Sequence, residues 1–220
     1  MKRFFATSLM ILGLTALAGS VFLYISNVKE DEQAQELTEY YLPLLIENIK
    51  NGDSTDISSD SSANANDSID TSGSDSSIEN PPTPDYSNTE MKVIVIDGHE
   101  FVGYLSIPKF NLELPVMSET NDEKLKIAPC RFYGSPMANN LVIGAHNYSR
   151  HFGKIGDLNP DDEIFFTDTD GNTYKYVVVS IEILQPNDVD ILTNAEYNLT
   201  LYTCTYGGRT RVTVRCDRID

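Results

Sequence analysis

Cys204 closes the run Leu199-Thr200-Leu201-Tyr202-Thr203-Cys204, and a second strand-like run begins at Arg211. Side chains alternate along a strand, so Leu199, Leu201 and Thr203 share one face while Thr200, Tyr202 and Cys204 share the other. The thiol is expected to point away from the core. In the next run Val212, Val214 and Cys216 form the inward set, which leaves Arg211, Thr213 and Arg215 outward. A hairpin centred on Gly207-Gly208 would set Tyr206 against Arg209, Thr205 against Thr210 and Cys204 against Arg211, with opposed Cβ atoms about 4.5–5.5 Å apart. A guanidinium at that distance would favour a thiolate and offer donors to an oxyanion. Arg209 is the rival for this role, but it belongs to the turn.

A thiol nucleophile also needs a base or ion-pair partner, and the chain has three histidines. His146 ends the apolar run Leu141-Val142-Ile143-Gly144-Ala145, where a strand meets a loop and a reactive group can be both held and exposed. His151 is the reserve candidate, and His99, beside the turn Asp97-Gly98, is expected to be solvated. Three cysteines leave at least one thiol of an exported chain unpaired within it. Cys216 falls on the inward face; Cys130 either pairs with it or is free.

These residues must be carried by β-structure. Eight short candidate strands are countable: 93–96, 104–107, 112–114, 141–143, 164–166, 174–183, 199–203 and 211–216. Turn dipeptides such as Asp97-Gly98, Asp170-Gly171 and Gly207-Gly208 separate some of them. The expected fold is all-β, an eight-stranded barrel with one or two short helices. One helix is expected over Glu119–Ile127, capped by Ser118 or Thr120.

Ahead of the barrel, Lys2 and Arg3 precede an uncharged run from Phe4 to Ile25, long enough to cross a hydrocarbon core of about 30 Å. Residues 1–28 are therefore expected to be a single-pass membrane anchor, with Lys2 and Arg3 cytoplasmic and the rest outside. Ala16-Leu17-Ala18 before Gly19 offers the competing reading of a cleaved signal peptide. Residues 29–50 are expected to form a juxtamembrane helix, kinked or ended at Pro43. Residues 51–90, rich in Ser, Asp, Asn and Pro, are expected to be a disordered acidic linker that gives the domain at 91–220 reach.

Of the net charge of −17, residues 1–90 contribute 4 basic and 15 acidic side chains, against 12 and 18 in residues 91–220. An acidic tail and no basic stripe interleaved with aromatics argue against a nucleic-acid partner.

Thr200-Leu201-Tyr202-Thr203-Cys204 resembles the Thr-Leu-x-Thr-Cys signature of sortases, which attach surface proteins to Gram-positive cell walls. The resemblance extends over roughly residues 100–218. Leu105-Ser106-Ile107-Pro108 and Leu114-Pro115-Val116 resemble the opening strands. Asn140-Leu141-Val142-Ile143-Gly144-Ala145-His146-Asn147 resembles the histidine strand, although the family usually has glycine immediately before its histidine. The stretch from Phe152 to Asp162 and Val189-Asp190-Ile191-Leu192 fit the intervening segments, and Arg211 falls where the family's arginine opens the last strand.

The resemblance implies a sortase barrel and a cysteine transpeptidase in the Gram-positive cell membrane, its catalytic domain extracellular. It implies Cys204 as nucleophile, His146 as general acid/base, and Arg211 for substrate positioning and the oxyanion. The substrate would be a Leu-Pro-x-Thr-Gly-like sorting motif of secreted proteins, and the acceptor a cell-wall amine. No cofactor or metal is expected; Asp161-Asp162-Glu163 and Asp168-x-Asp170 read as turns rather than a calcium site. Class B is disfavoured by the short 184–198 connection. Pilus class C is disfavoured because Pro84-Asp85-Tyr86 inverts the lid order and no membrane span follows Asp220. Two alternatives are another cell-wall cysteine transpeptidase, whose Ser-His-Gly-Cys type of motif is absent, and a membrane-tethered binding domain or inactive homologue.

Overall fold

The computed structural model of the chain describes residues 2–52, 91–193, 196–205 and 207–220, without the side chains of 2–12, Tyr24 and Asn27. The long helix α1 spans Lys2–Asn51. Among the described residues nine strands follow: β1 (Ile94–Ile96), β2 (His99–Ile107), β3 (Leu112–Met117), β4 (Cys130–Tyr133), β5 (Leu141–Ala145), β6 (Glu163–Asp168), β7 (Thr173–Leu184), β8 (Leu199–Cys204) and β9 (Arg211–Arg218). Helix α2 (Asp122–Leu125) lies between β3 and β4, and α3 (Val189–Leu192) between β7 and β8.

The sheet order is β1-β2-β3-β4-β5-β8-β9-β7-β6, and β6 returns to pair with β2. The ring from β2 to β6 is thus an eight-stranded closed barrel, while β1 is a hairpin arm that extends the edge of β2. All eight sequence-predicted strands form, yet they are not the eight of the barrel. The candidate at 93–96 is the arm, and β4 was missing from the set. Closure requires β2 to turn from β1 towards β6, and it does so at a register shift between Phe101 and Gly103. Gly103 has φ +147°, and a Cβ there would lie 2.1 Å from the Thr167 carbonyl oxygen, so the close approach needs glycine.

Alternating apolar residues fill the barrel: Leu105, Leu141, Ile143, Leu199, Leu201, Val214 and Cys216 are buried together. A second cluster joins Tyr41 and Leu45 of α1 to Ile94, Phe101, Met117 and Cys130. Ala34, Leu37, Tyr41 and Leu45 recur at helical spacing, which turns one face of α1 onto the barrel. Cys130 and Cys216 lie in different clusters and are both free thiols, so they do not pair.

Several expectations change. The helix expected over 29–50 is the latter half of an unbroken α1 and does not end at Pro43. Pro43 and Glu39 are both exposed, where water can take the carbonyl that proline leaves unpaired. Helix α2 is shorter than expected, and its cap is Asn121, whose side chain accepts from the Lys124 backbone N–H. His99 is half-buried, with its ring edge-on to Tyr41 at 5.6 Å, rather than solvated. Among the described residues no helix is long and apolar enough to cross a membrane. The side chains of the first part of the Phe4–Ile25 run, and the linker beyond Gly52, lie outside the described residues.

Candidate active site

Strands β5 and β8 run parallel in the register Leu141↔Leu199 to Ala145↔Thr203. His146 and Cys204 each stand one step past the last pair, at the same end of neighbouring strands spaced about 4.8 Å apart. Thr203 ties the two ends together: its buried hydroxyl donates to the Ala145 carbonyl at 2.8 Å, immediately before His146. Antiparallel β8 and β9 pair Cys204 with Arg211, and the Thr205 N–H donates to the Thr210 carbonyl at 2.9 Å. Gly207 and Gly208 have φ +80° and +67°, and the Gly208 N–H donates to the Thr205 carbonyl at 2.8 Å, so the turn closes just beyond the Thr205–Thr210 pair. The predicted register is therefore the observed one; Tyr206, expected opposite Arg209, lies outside the described residues.

Cys204 is exposed, whereas His146 and Arg211 are half-buried. Cys204 and His146 line one cleft of about 540 Å³ with Tyr148 and, from α1, Val28, Glu30 and Asp31. The rest of the outward face of β8 is not open to solvent as alternation alone suggests. Thr200 and Tyr202 are 1% and 8% exposed, because the connection carrying α3 folds over them. Arg215, on the same face of β9, is buried and anchors that connection. It donates to Ile191 O at 2.6 Å, Leu192 O at 3.0 Å, Thr200 Oγ1 at 3.0 Å and Glu182 Oε1 at 2.6 Å. Only the end of the face, at Cys204, emerges.

Arg211 stacks over Tyr202, with its guanidinium carbon 5.3 Å from the ring centroid. The Tyr202 ring in turn lies over Gly144, where a Cβ would meet ring atoms at 2.4 Å. This accounts for the order Gly144-Ala145: the position beside Tyr202 must be glycine, whatever precedes the histidine. Arg211 Nη1 and His146 Nε2 are buried and find no hydrogen-bond partner among the described residues. His146 lines the cleft that bears the thiol, so its Nε2 is free to meet a bound group, and the uncommitted Arg211 Nη1 belongs to the residue paired with Cys204.

Burial holds the His146 pKa below the usual histidine value, opposed by Glu30 and then Asp122, with Lys126 adding to the depression. His151 lies behind it, fully buried; burial and the neighbouring His146 push its pKa down to about 4. It is a neutral core residue, and it is absent from the cleft lining. Burial raises the pKa of Cys130 to about 12 and that of Cys216 further, so both are inert thiols. The acidic segments are occupied locally. Asp162 accepts from Lys109 and the Asn159 N–H, and Asp168 from the backbone of Asp170 and Asn172.

A family model described as the sortase domain matches residues 105–219. The chain belongs to the sortase family. Sortase A of Bacillus anthracis is 25% identical over 135 residues, covering 59% of this chain and 61% of that protein. The chain therefore spans less than two thirds of that relative. Among solved structures, sortase A from Corynebacterium diphtheriae superposes with a TM-score of 0.51 at 27% identity, covering 56% of this sortase and 62% of that chain. Sortase C1 from Streptococcus agalactiae gives 0.51 at 30% identity, covering 57% and 71%. The barrel is common to neighbours titled A and C1.

Sequence reasoning missed Tyr202 as the shelf for Arg211, although its aromatic type on the thiol's face was a signal. It also missed Glu30, Asp31 and Tyr148 at the cleft, for which no local pattern exists.

Proposed function

We propose that this chain is a sortase transpeptidase with Cys204 as nucleophile, His146 as general acid/base and Arg211 as the oxyanion donor. The observation that carries this reading is an exposed thiol that shares one cleft with a histidine and is paired across the hairpin with an arginine. In the proposed reaction the Cys204 thiolate attacks the Thr carbonyl of a Leu-Pro-x-Thr-Gly-like motif. A C–S bond forms and the C–N bond breaks, and the departing amine takes a proton from the His146 imidazolium. A cell-wall amine then attacks the thioester, gives its proton to neutral His146 and expels Cys204. Arg211, with one guanidinium nitrogen uncommitted, steadies each tetrahedral oxyanion.

The chain is proposed to act outside the Gram-positive cell membrane, held by residues 1–28 as a single-pass anchor. The exposure of Leu14, Leu17, Phe22 and Leu23, between 64% and 72%, supports a lipid partner for that stretch. Residues 91–220 form the proposed catalytic domain, and 51–90 the linker.

The test is to incubate the full chain in detergent with a library of sorting-motif peptides and an amine, read by mass spectrometry. A peptide acyl adduct on Cys204 is expected, together with amine-ligated product. Activity retained by Cys204→Ala, or no labelling by any sorting peptide, would refute the assignment.

A further inference from the structure

The loop after His146 is held from outside the barrel. The Tyr148 hydroxyl donates to Glu30 Oε2 at 3.3 Å, the Ser149 hydroxyl donates to Asp31 Oδ2, and the Arg150 N–H donates to Asp31 Oδ1 at 3.1 Å. Between these contacts and the imidazole stands the Tyr148 ring, whose centroid is 4.9 Å from that of His146, at an interplanar angle of 36°. Inside, the loop curls on itself: the Phe152 N–H reaches the His146 carbonyl at 3.2 Å and the Gly153 N–H the Tyr148 carbonyl at 2.9 Å. The curl alone leaves Ser149 and Arg150 exposed to solvent; α1 supplies their partners.

We propose that α1 is part of the active site, with Glu30 and Asp31 as positioning residues that clamp the loop bearing His146 against the cleft. The proposal rests on His146 being the general acid/base. Asp31 fixes the loop through two bonds, one from the Ser149 hydroxyl and one from the Arg150 backbone N–H, and Glu30 fixes the Tyr148 ring on which the imidazole leans. Glu30 also places a carboxylate on the side of the cleft where the imidazolium must form. The other charged or titratable groups around His146 are Asp122 in α2, Lys126 just beyond it, Tyr148 and His151 on its own loop, and Cys204 and Arg211 on β8 and β9. Of these, Glu30 is the largest influence favouring the imidazolium, so its removal should lower the His146 titration further.

Two readouts on the full chain test this. Imidazole NMR titration of histidine-labelled protein, with His146 assigned by its loss in His146→Asn, should show the midpoint falling by about half a pH unit in Glu30→Gln. Glu32→Gln removes the same charge from an exposed position two residues along and should leave the midpoint in place. In turnover, Asp31→Asn should lower kcat about tenfold through misplacement of the loop. Asp31→Glu should recover part of the loss, and circular dichroism should show an unchanged fold. A wild-type His146 midpoint in Glu30→Gln overturns the proposal, as does wild-type kcat in the double variant Glu30→Gln/Asp31→Asn. If wild type never forms the peptide adduct, the catalytic assignment fails, and the NMR titration still decides whether α1 governs His146.

Discussion

Replacing His151 by phenylalanine should remove most of one component of this protein's acid sensitivity. His151 is 0% exposed, neither ring nitrogen has a hydrogen-bond partner among the described residues, and its pKa is pushed down to about 4 from 6.5. The folded state therefore binds fewer protons at this site than the unfolded chain between those two values. Stability from the neutral ring is complete above pH 6.5 and drains away as pH falls towards 4. With 1.36 kcal/mol per pH unit, the loss between pH 7.5 and pH 5.0 is about 2 kcal/mol, and the ceiling at lower pH is about 3 kcal/mol. Phenylalanine keeps a flat ring beside Tyr148, whose centroid is 5.5 Å from that of His151, and cannot titrate. Urea unfolding of wild type and His151→Phe at both pH values gives a double difference in which the other carboxylates and histidines cancel. The expected value is about 2 kcal/mol in favour of the variant at pH 5.0. A double difference below about 0.5 kcal/mol would show that His151 is hydrated or charged in the folded protein, and the account of a buried neutral histidine would be wrong.

Alkylation of the native chain by iodoacetamide, followed by peptide mapping, should label Cys204 and spare Cys130 and Cys216, which are buried with raised pKa values; equal labelling of all three would contradict the packing. Gly144→Ala drives a methyl into the Tyr202 ring and so displaces the Arg211 shelf. It should cost about 1–3 kcal/mol of stability by thermal unfolding and lower kcat with it. Arg211→Lys keeps the charge but loses the planar fork and the stack, so kcat should fall by roughly a hundredfold, and a turnover assay near wild type would remove Arg211 from the proposed mechanism. Leu45→Ala opens the cluster between α1 and the barrel and should destabilise the chain by about 2–5 kcal/mol. Denaturant titration checks the magnitude.

The pairing of Cys204 with Arg211 was legible because a hairpin is a local object: two glycines at its centre and strict alternation on either side leave one register. The same reasoning placed His146 at a strand end. It could not place β4, because Cys130-Arg131-Phe132-Tyr133 has no alternation and pairs with β3 through a single bridge, Met117↔Cys130. Nor could it distinguish outward from exposed. Arg215 alternates with Arg211 and shares its face, yet it is buried because a connection from elsewhere in the chain covers it.

By itself, then, the sequence determined every strand but β4, the hairpin that opposes thiol and guanidinium, and the kinship carried by Thr200 to Cys204, since each depends on residues within a dozen positions of one another. Tertiary structure decided what surrounds them. The Tyr202 shelf needs Gly144 from a strand far away in sequence, and Glu30 and Asp31 reach the His146 loop across 118 and 119 residues. Contacts at such separation leave no periodicity in the chain. They exist only once the barrel closes and α1 lies down against it.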